Sequence, residues 1–222
     1  MYKQIGILLL MFTALAGRAD ITTNLSVNTA VPDGNPSGMA STLNVSGVFG
    51  SVSNVQVNLN ITGGFNGDLY AYLLSPQGSL IVLLNRAGIG SGNSVGYANT
   101  GFNITLAAGG ANLHNYEAGS YGLNGSGQLI NSWAPDQRAI DPQSVATAFN
   151  TAPAGTGLAD LIGQTPDGNW TLFVADLSGG GQSTLVSWGL TVVTVPEPQT
   201  WALLGGGLAT FWTLAQRRNR RK

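Results

Sequence analysis

The stretch Val55-Gln56-Val57-Asn58-Leu59-Asn60-Ile61 alternates aliphatic and amide side chains without a break. Successive side chains of a strand point to opposite faces, so the four aliphatic residues share one face and the three amides the other. This is a strand with one face in a core and the other in water. The same period recurs outward from it. Residues 39–45 read as a weaker strand. Residues 69–74 and 80–84 read as a pair joined by Ser75-Pro76-Gln77-Gly78, with Pro at the second position of a turn. Phe102-Asn103-Ile104-Thr105-Leu106 alternates again, and residues 170–174 and 185–192 follow, joined by a Gly-rich hairpin loop that starts at Asp176. Short, evenly spaced strands with such connections predict an all-β, antiparallel β-sandwich of jelly-roll-like type in a single domain. Helix is expected only over 142–149, with a turn over 158–162. Residues 107–166 show no clear period and read as a large surface loop or an insertion.

Composition excludes several chemistries. Cysteine is absent and His114 is the sole histidine, so thiolate catalysis, disulfides and multi-histidine metal centres fall away. The only lysines are Lys3 and Lys222, one at each end. Between Ile21 and Val195, eight acidic residues against two basic ones (Arg86 and Arg138) leave the body at −6. A surface of that sign repels phosphate backbones, and no nucleic-acid partner is expected.

Both ends read as addresses. Lys3 precedes an apolar stretch over 5–15, and Gly17 and Ala19 stand at the −3 and −1 positions of a cleavage that would leave Asp20 first. Residues 1–19 are therefore expected to be a signal peptide, with cleavage after Ala16 as the alternative. Residues 20–30 are expected to be a lead-in. At the other end, Val195-Pro196-Glu197-Pro198 is followed by an apolar run over 201–215 and by Arg217, Arg218, Arg220, Arg221 and Lys222. Two prolines around a glutamate make an extended linker. Fifteen apolar residues reach ~22 Å as a helix, marginal for a ~30 Å hydrocarbon core. The arginines would be held on the cytoplasmic side, which places the body outside.

This C-terminal arrangement over 195–222 resembles the PEP-CTERM sorting signal of Gram-negative bacteria. The Pro196, Glu197, Pro198 motif, the hydrophobic segment and the Arg-rich stop stand in the family's order. The resemblance implies an exosortase as processing enzyme, transient membrane contact through 201–215, and delivery to the cell surface, outer membrane or extracellular matrix.

The body over 31–193 resembles the P domain (P/Homo B domain) that follows the catalytic domain of kexin- and furin-like subtilisin-type proteases. The matching residues are Val31-Pro32-Asp33, the strand from Val55, Gly67-Asp68-Leu69, Ser75-Pro76 with Gly78, Gly168-Asn169-Trp170-Thr171-Leu172, Asp176, and Trp188-Gly189-Leu190. Residues 107–153 depart from the family's pattern. The resemblance implies a non-catalytic scaffold with three open roles: a structural or binding module, an accessory to a separate subtilisin-like protease, or an exopolysaccharide binder.

Candidate sites are few. A serine protease needs a base, and His114 in Asn112-Leu113-His114-Asn115-Tyr116 is expected to be a loop or surface residue. No Gly-x-Ser-x-Gly elbow is present, so no catalytic residue is assigned. Calcium is the more reasonable metal, since hard cations take oxygen ligands and the body offers Asp and Asn side chains beside Gly loops. Asp68 and Asp176, both motif positions by resemblance, are its candidate ligands, against the plainer reading that each caps a turn. Tyr70, Tyr72, Tyr116, Tyr121 and Trp133 are weighed as a sugar-stacking face, with Trp170 and Trp188 assigned to the core.

Overall fold

Alternation becomes sheet with little deviation. In the computed structural model, which describes residues 19–195, 205–212 and 216–217, β3 (Ser51–Gly63) buries Val55, Val57, Leu59 and Ile61 and leaves the intervening amides half-exposed. Around it lie β1 (Ala19–Ala30), β2 (Asn35–Val45), β4 (Leu69–Leu74), β5 (Leu80–Asn85), β6 (Gly101–Ala107), β7 (Leu129–Trp133), β8 (Gly168–Asp176) and β9 (Ser183–Val195). One sheet has the order β1-β9-β3-β6-β7 and the other β2-β8-β4-β5. All pairings are antiparallel except β6 with β7. The all-β two-sheet architecture expected from the sequence is the one found.

The inner faces form one core. Trp170 and Trp188 are its largest members; Trp170 Nε1 donates to the Pro166 carbonyl at 2.9 Å and Trp188 Nε1 to Ser41 Oγ at 2.9 Å. Each indole thus buries its ring without stranding its polar atom. The Ser75 turn forms as its sequence predicts: Gly78 N–H donates to the Ser75 carbonyl at 2.9 Å, and Gly78 takes a φ of 85°.

Three segments depart from the sequence reading. Residues 20–30, expected to be a lead-in, belong to β1. Ile21, Leu25 and Val27 pack against the core while Thr22, Asn24 and Ser26 face out, so the alternation was sufficient to make a strand once β9 offered an edge. The 142–149 helix is instead a 3-10 helix over Ala146–Thr151. Residues 107–166 are not a loose excursion: they contain β7 and bury Leu113, Tyr116, Leu129, Trp133, Phe149, Leu158 and Leu161. A short 3-10 helix, Leu158–Leu161, takes the place of the expected turn.

Residues 19–195 form one compact unit, and residues 1–18 with 196–222 a second. In the second, the stretches 205–212 and 216–217 are helical and exposed. Among the described residues no helix is long and apolar enough to cross a membrane. Of the signal peptide expected over 1–19, residues 1–18 lie outside the described residues and Ala19 begins β1; the motif Pro196, Glu197, Pro198, and Arg218, Arg220 and Arg221 also lie outside them, while Arg217 is described and exposed.

Candidate functional site

Asp68 and Asp176 come together at one end of the two inner strands of the smaller sheet. Asp68 ends a 3-10 turn (Asn66–Asp68) that leads into β4, Asp176 ends β8, and Leu69 stands in register with Asp176. Gly67 is required just before Asp68, because a Cβ there would run into the Val95 carbonyl and Gly96. Asp176 is fully buried: Oδ1 accepts from Ser178 N–H at 3.4 Å and Oδ2 from Ser183 Oγ at 3.1 Å. Burial pushes the Asp176 carboxyl above its ordinary value, and the charges of Asp68 and Asp33 push it further. Burial raises Asp68 as well, while Ser178 and the Arg86 guanidinium pull it back.

Arg86 donates from Nε to the Gly67 carbonyl at 3.2 Å. The pair is thus joined by hydrogen bonds to its own loop and balanced in part by one cation. Among the described residues no group of three or more His, Asp or Glu could hold a metal ion. A calcium ion at Asp68 and Asp176 would need main-chain and water oxygens to complete its shell.

His114 is not a surface residue. It is 2% exposed, within a 3-10 segment (Leu113–Ala118) of the stretch expected to be a loop. Nδ1 lies 2.6 Å from Asp136 Oδ2 and Nε2 lies 2.9 Å from the Ile89 carbonyl. Arg138 Nη1 donates to Asp136 Oδ1 at 3.0 Å, and Phe149 stacks beside the imidazole at 6.0 Å. Both ring nitrogens are occupied, Nε2 by a main-chain oxygen, so neither is free to draw a proton from a nucleophile. The cluster instead ties together four separate pieces of chain. The lone histidine and the Asp136/Arg138 spacing were visible in the sequence, but their contact was not.

The five aromatics weighed as one sugar face divide into two groups. Tyr70 and Tyr72 do share the outer face of β4, where Tyr72 stacks on Phe173 at 4.8 Å. Tyr116, Tyr121 and Trp133 lie elsewhere, packed on one another and on Tyr97, with Tyr116 and Trp133 buried.

Sequence reasoning gave no role to the outer face of the five-stranded sheet. There Asn24 stands opposite Gly189, Gly189 opposite Asn58, and Asn58 opposite Thr105. The next row runs Ser26, Ser187, Asn60, Asn103. Gly189 leaves the floor open, since a Cβ there would strike the Asn24 amide and the Thr23 carbonyl. The result is a shallow depression of about 360 Å³ with no ionisable residue in its lining.

Residues 52–113 match the family model of the proprotein convertase P-domain. The chain is similar to the serine protease of Aeromonas sobria (16% identity, TM-score 0.45, 81% of this chain and 28% of that one). It is also similar to a chain in the complex of that serine protease with its chaperone (16% identity, TM-score 0.44, 82% of this chain and 28% of that one). This chain therefore spans less than a third of the length of either. A comparison with curated proteins finds no match. Over residues 52–113 the chain is similar to the proprotein convertase P-domain.

Proposed function

We propose that this chain is a non-catalytic β-sandwich module exported by a Gram-negative bacterium and delivered to the cell surface or extracellular matrix after an exosortase recognises its C-terminus. One observation carries the reading. The last paired residue of β9 is Val195, opposite Ser51, and Pro196 follows at once. Every described strand ladder is complete before the Pro-Glu-Pro motif begins, and the buried core ends by Val193 and Thr194. Cutting at or after the motif therefore removes no residue of that core.

The test is expression of the wild type and a Pro196→Ala/Glu197→Ala variant in a host with an exosortase. The wild type is expected to be shortened and released, and the variant to stay membrane-bound at full length. Identical processing of the two would remove the sorting role.

The match over 52–113 also favours a second reading, in which the module assists a separate subtilisin-like protease. It predicts copurification with such a protease and altered activity on mixing; absence of both would leave the module outside proteolysis. A structural calcium ion at Asp68 and Asp176 belongs to the same account. Thermal melts in millimolar calcium and in EDTA test it, with a rise of several degrees expected only if the ion binds.

A further inference from the structure

The depression on the outer face of the five-stranded sheet has the chemistry of a ligand site. Its side chains Asn24, Asn103, Asn131 and Ser187 find no hydrogen-bond partner among the described residues, and the three asparagines are exposed. Asn58 and Asn60 each accept one bond through Oδ1, from Thr105 and Gln128 respectively, which leaves both amide NH2 groups without a protein acceptor. Each of the unpaired amides can donate and accept at once. The rows are regular because the register is regular: neighbours across the sheet are ~4.8 Å apart, and same-face residues along one strand about 6.8 Å apart.

We propose that this face binds a neutral, hydroxyl-rich polymer, a polysaccharide chain lying across β1, β9, β3 and β6. Three features select that occupant. The lining carries no charge although the body is at −6, so a cationic or anionic ligand gains nothing specific here. Primary amides and hydroxyls both donate and accept, which matches sugar hydroxyls in either direction. A repeating array of polar groups rewards a repeating ligand, since each added unit meets the next row at little further cost in ordering. Asn131 closes one side, held at a φ of 78°, an uncommon conformation for a residue other than glycine. The proposal goes beyond the function proposed above by giving the module a ligand class. It does not depend on how the chain is sorted.

The test is affinity electrophoresis of the full chain in detergent, through gels containing dextran or soluble cellulose derivatives without charge, with alginate as the acidic comparison. Retardation by at least one neutral polymer is expected, none by alginate, and a loss of about tenfold in affinity for Asn24→Ala/Asn103→Ala. Neither side chain makes a hydrogen bond among the described residues, so this variant is expected to keep its fold, which circular dichroism and melting check independently. A Tyr70→Ala/Tyr72→Ala variant is expected to bind as the wild type does. No retardation by any neutral polymer overturns the proposal, as does retardation that persists in the asparagine variant or is lost only in the tyrosine variant. A wild type that self-associates in sedimentation, with the asparagine variant monomeric and neither retarded, would assign the face to a second copy of the chain and overturn it equally. The mass of the processed chain is unaffected by any of these outcomes, so sorting stands or falls separately.

Discussion

Asp176 illustrates how one buried carboxylate can tax the sandwich it helps to close. Its folded value lies above the ordinary 3.8, through burial first and the neighbouring acids second. Above the folded value, ionisation of the buried group therefore costs stability. That cost is relieved as pH falls through the folded value, and below the unfolded value both states are protonated and the effect is constant. Replacing Asp176 with Asn is expected to stabilise the protein at pH 7.5 and to lose that advantage towards pH 4. Urea denaturation of the two proteins across this range measures it, and a pH-independent difference would refute the burial cost. His114 makes the opposite case. Its removal leaves Asp136 buried with one partner fewer, so His114→Ala is expected to cost about 3 kcal/mol. A loss below about 1 kcal/mol in the same assay would mean that the cluster does not hold its segment together. The sequence offered Asp68 and Asp176 together only through the family resemblance, and it did not pair His114 with Asp136, because both groupings form only once strands and loops are paired.

Strands were legible where a run of inward residues is apolar, as at 55–61 in β3, 102–106 in β6, 170–174 in β8 and 185–192 in β9. In β1 one inward position is Thr23, and the run of Thr, Asn and Ser around Leu25 weakens the signal. β7 is short, and its Asn131-Ser132 sequence suits a turn; it is a strand because β6 presents an edge that it meets in parallel. The outer-face amides of β3 were visible as half of its alternation. Their assembly with Asn24 and Asn103 was not, since a shift of one residue in register would send those side chains to the core face. Two predictions belong to this scale. Amide hydrogens of Ile21 to Leu25 that pair with β9 should exchange far more slowly than those of the loop around Ser91 to Val95; equal rates would restore the lead-in reading. Gly189→Ala should destabilise the sheet by roughly 1–3 kcal/mol, because the added methyl meets the Thr23 carbonyl of the paired strand even if the Asn24 side chain swings away. An unchanged melting temperature would show the floor to be roomier than its register implies.

For the whole molecule, the division of labour follows the chain. Residues 19–195 form a closed unit with its own core, and the cationic cluster and apolar run stand beyond it. The strand pairing ends at Val195 and Pro196 follows, so the proposed sorting signal could be removed without loss of any paired residue. The most direct measurement is intact-mass analysis of the protein recovered from the surface or matrix of cells that carry an exosortase. The account predicts a chain that has lost its signal peptide and everything from the vicinity of Pro198 onward, including Arg217 to Lys222. Recovery of the same material with those terminal arginines still attached would contradict it.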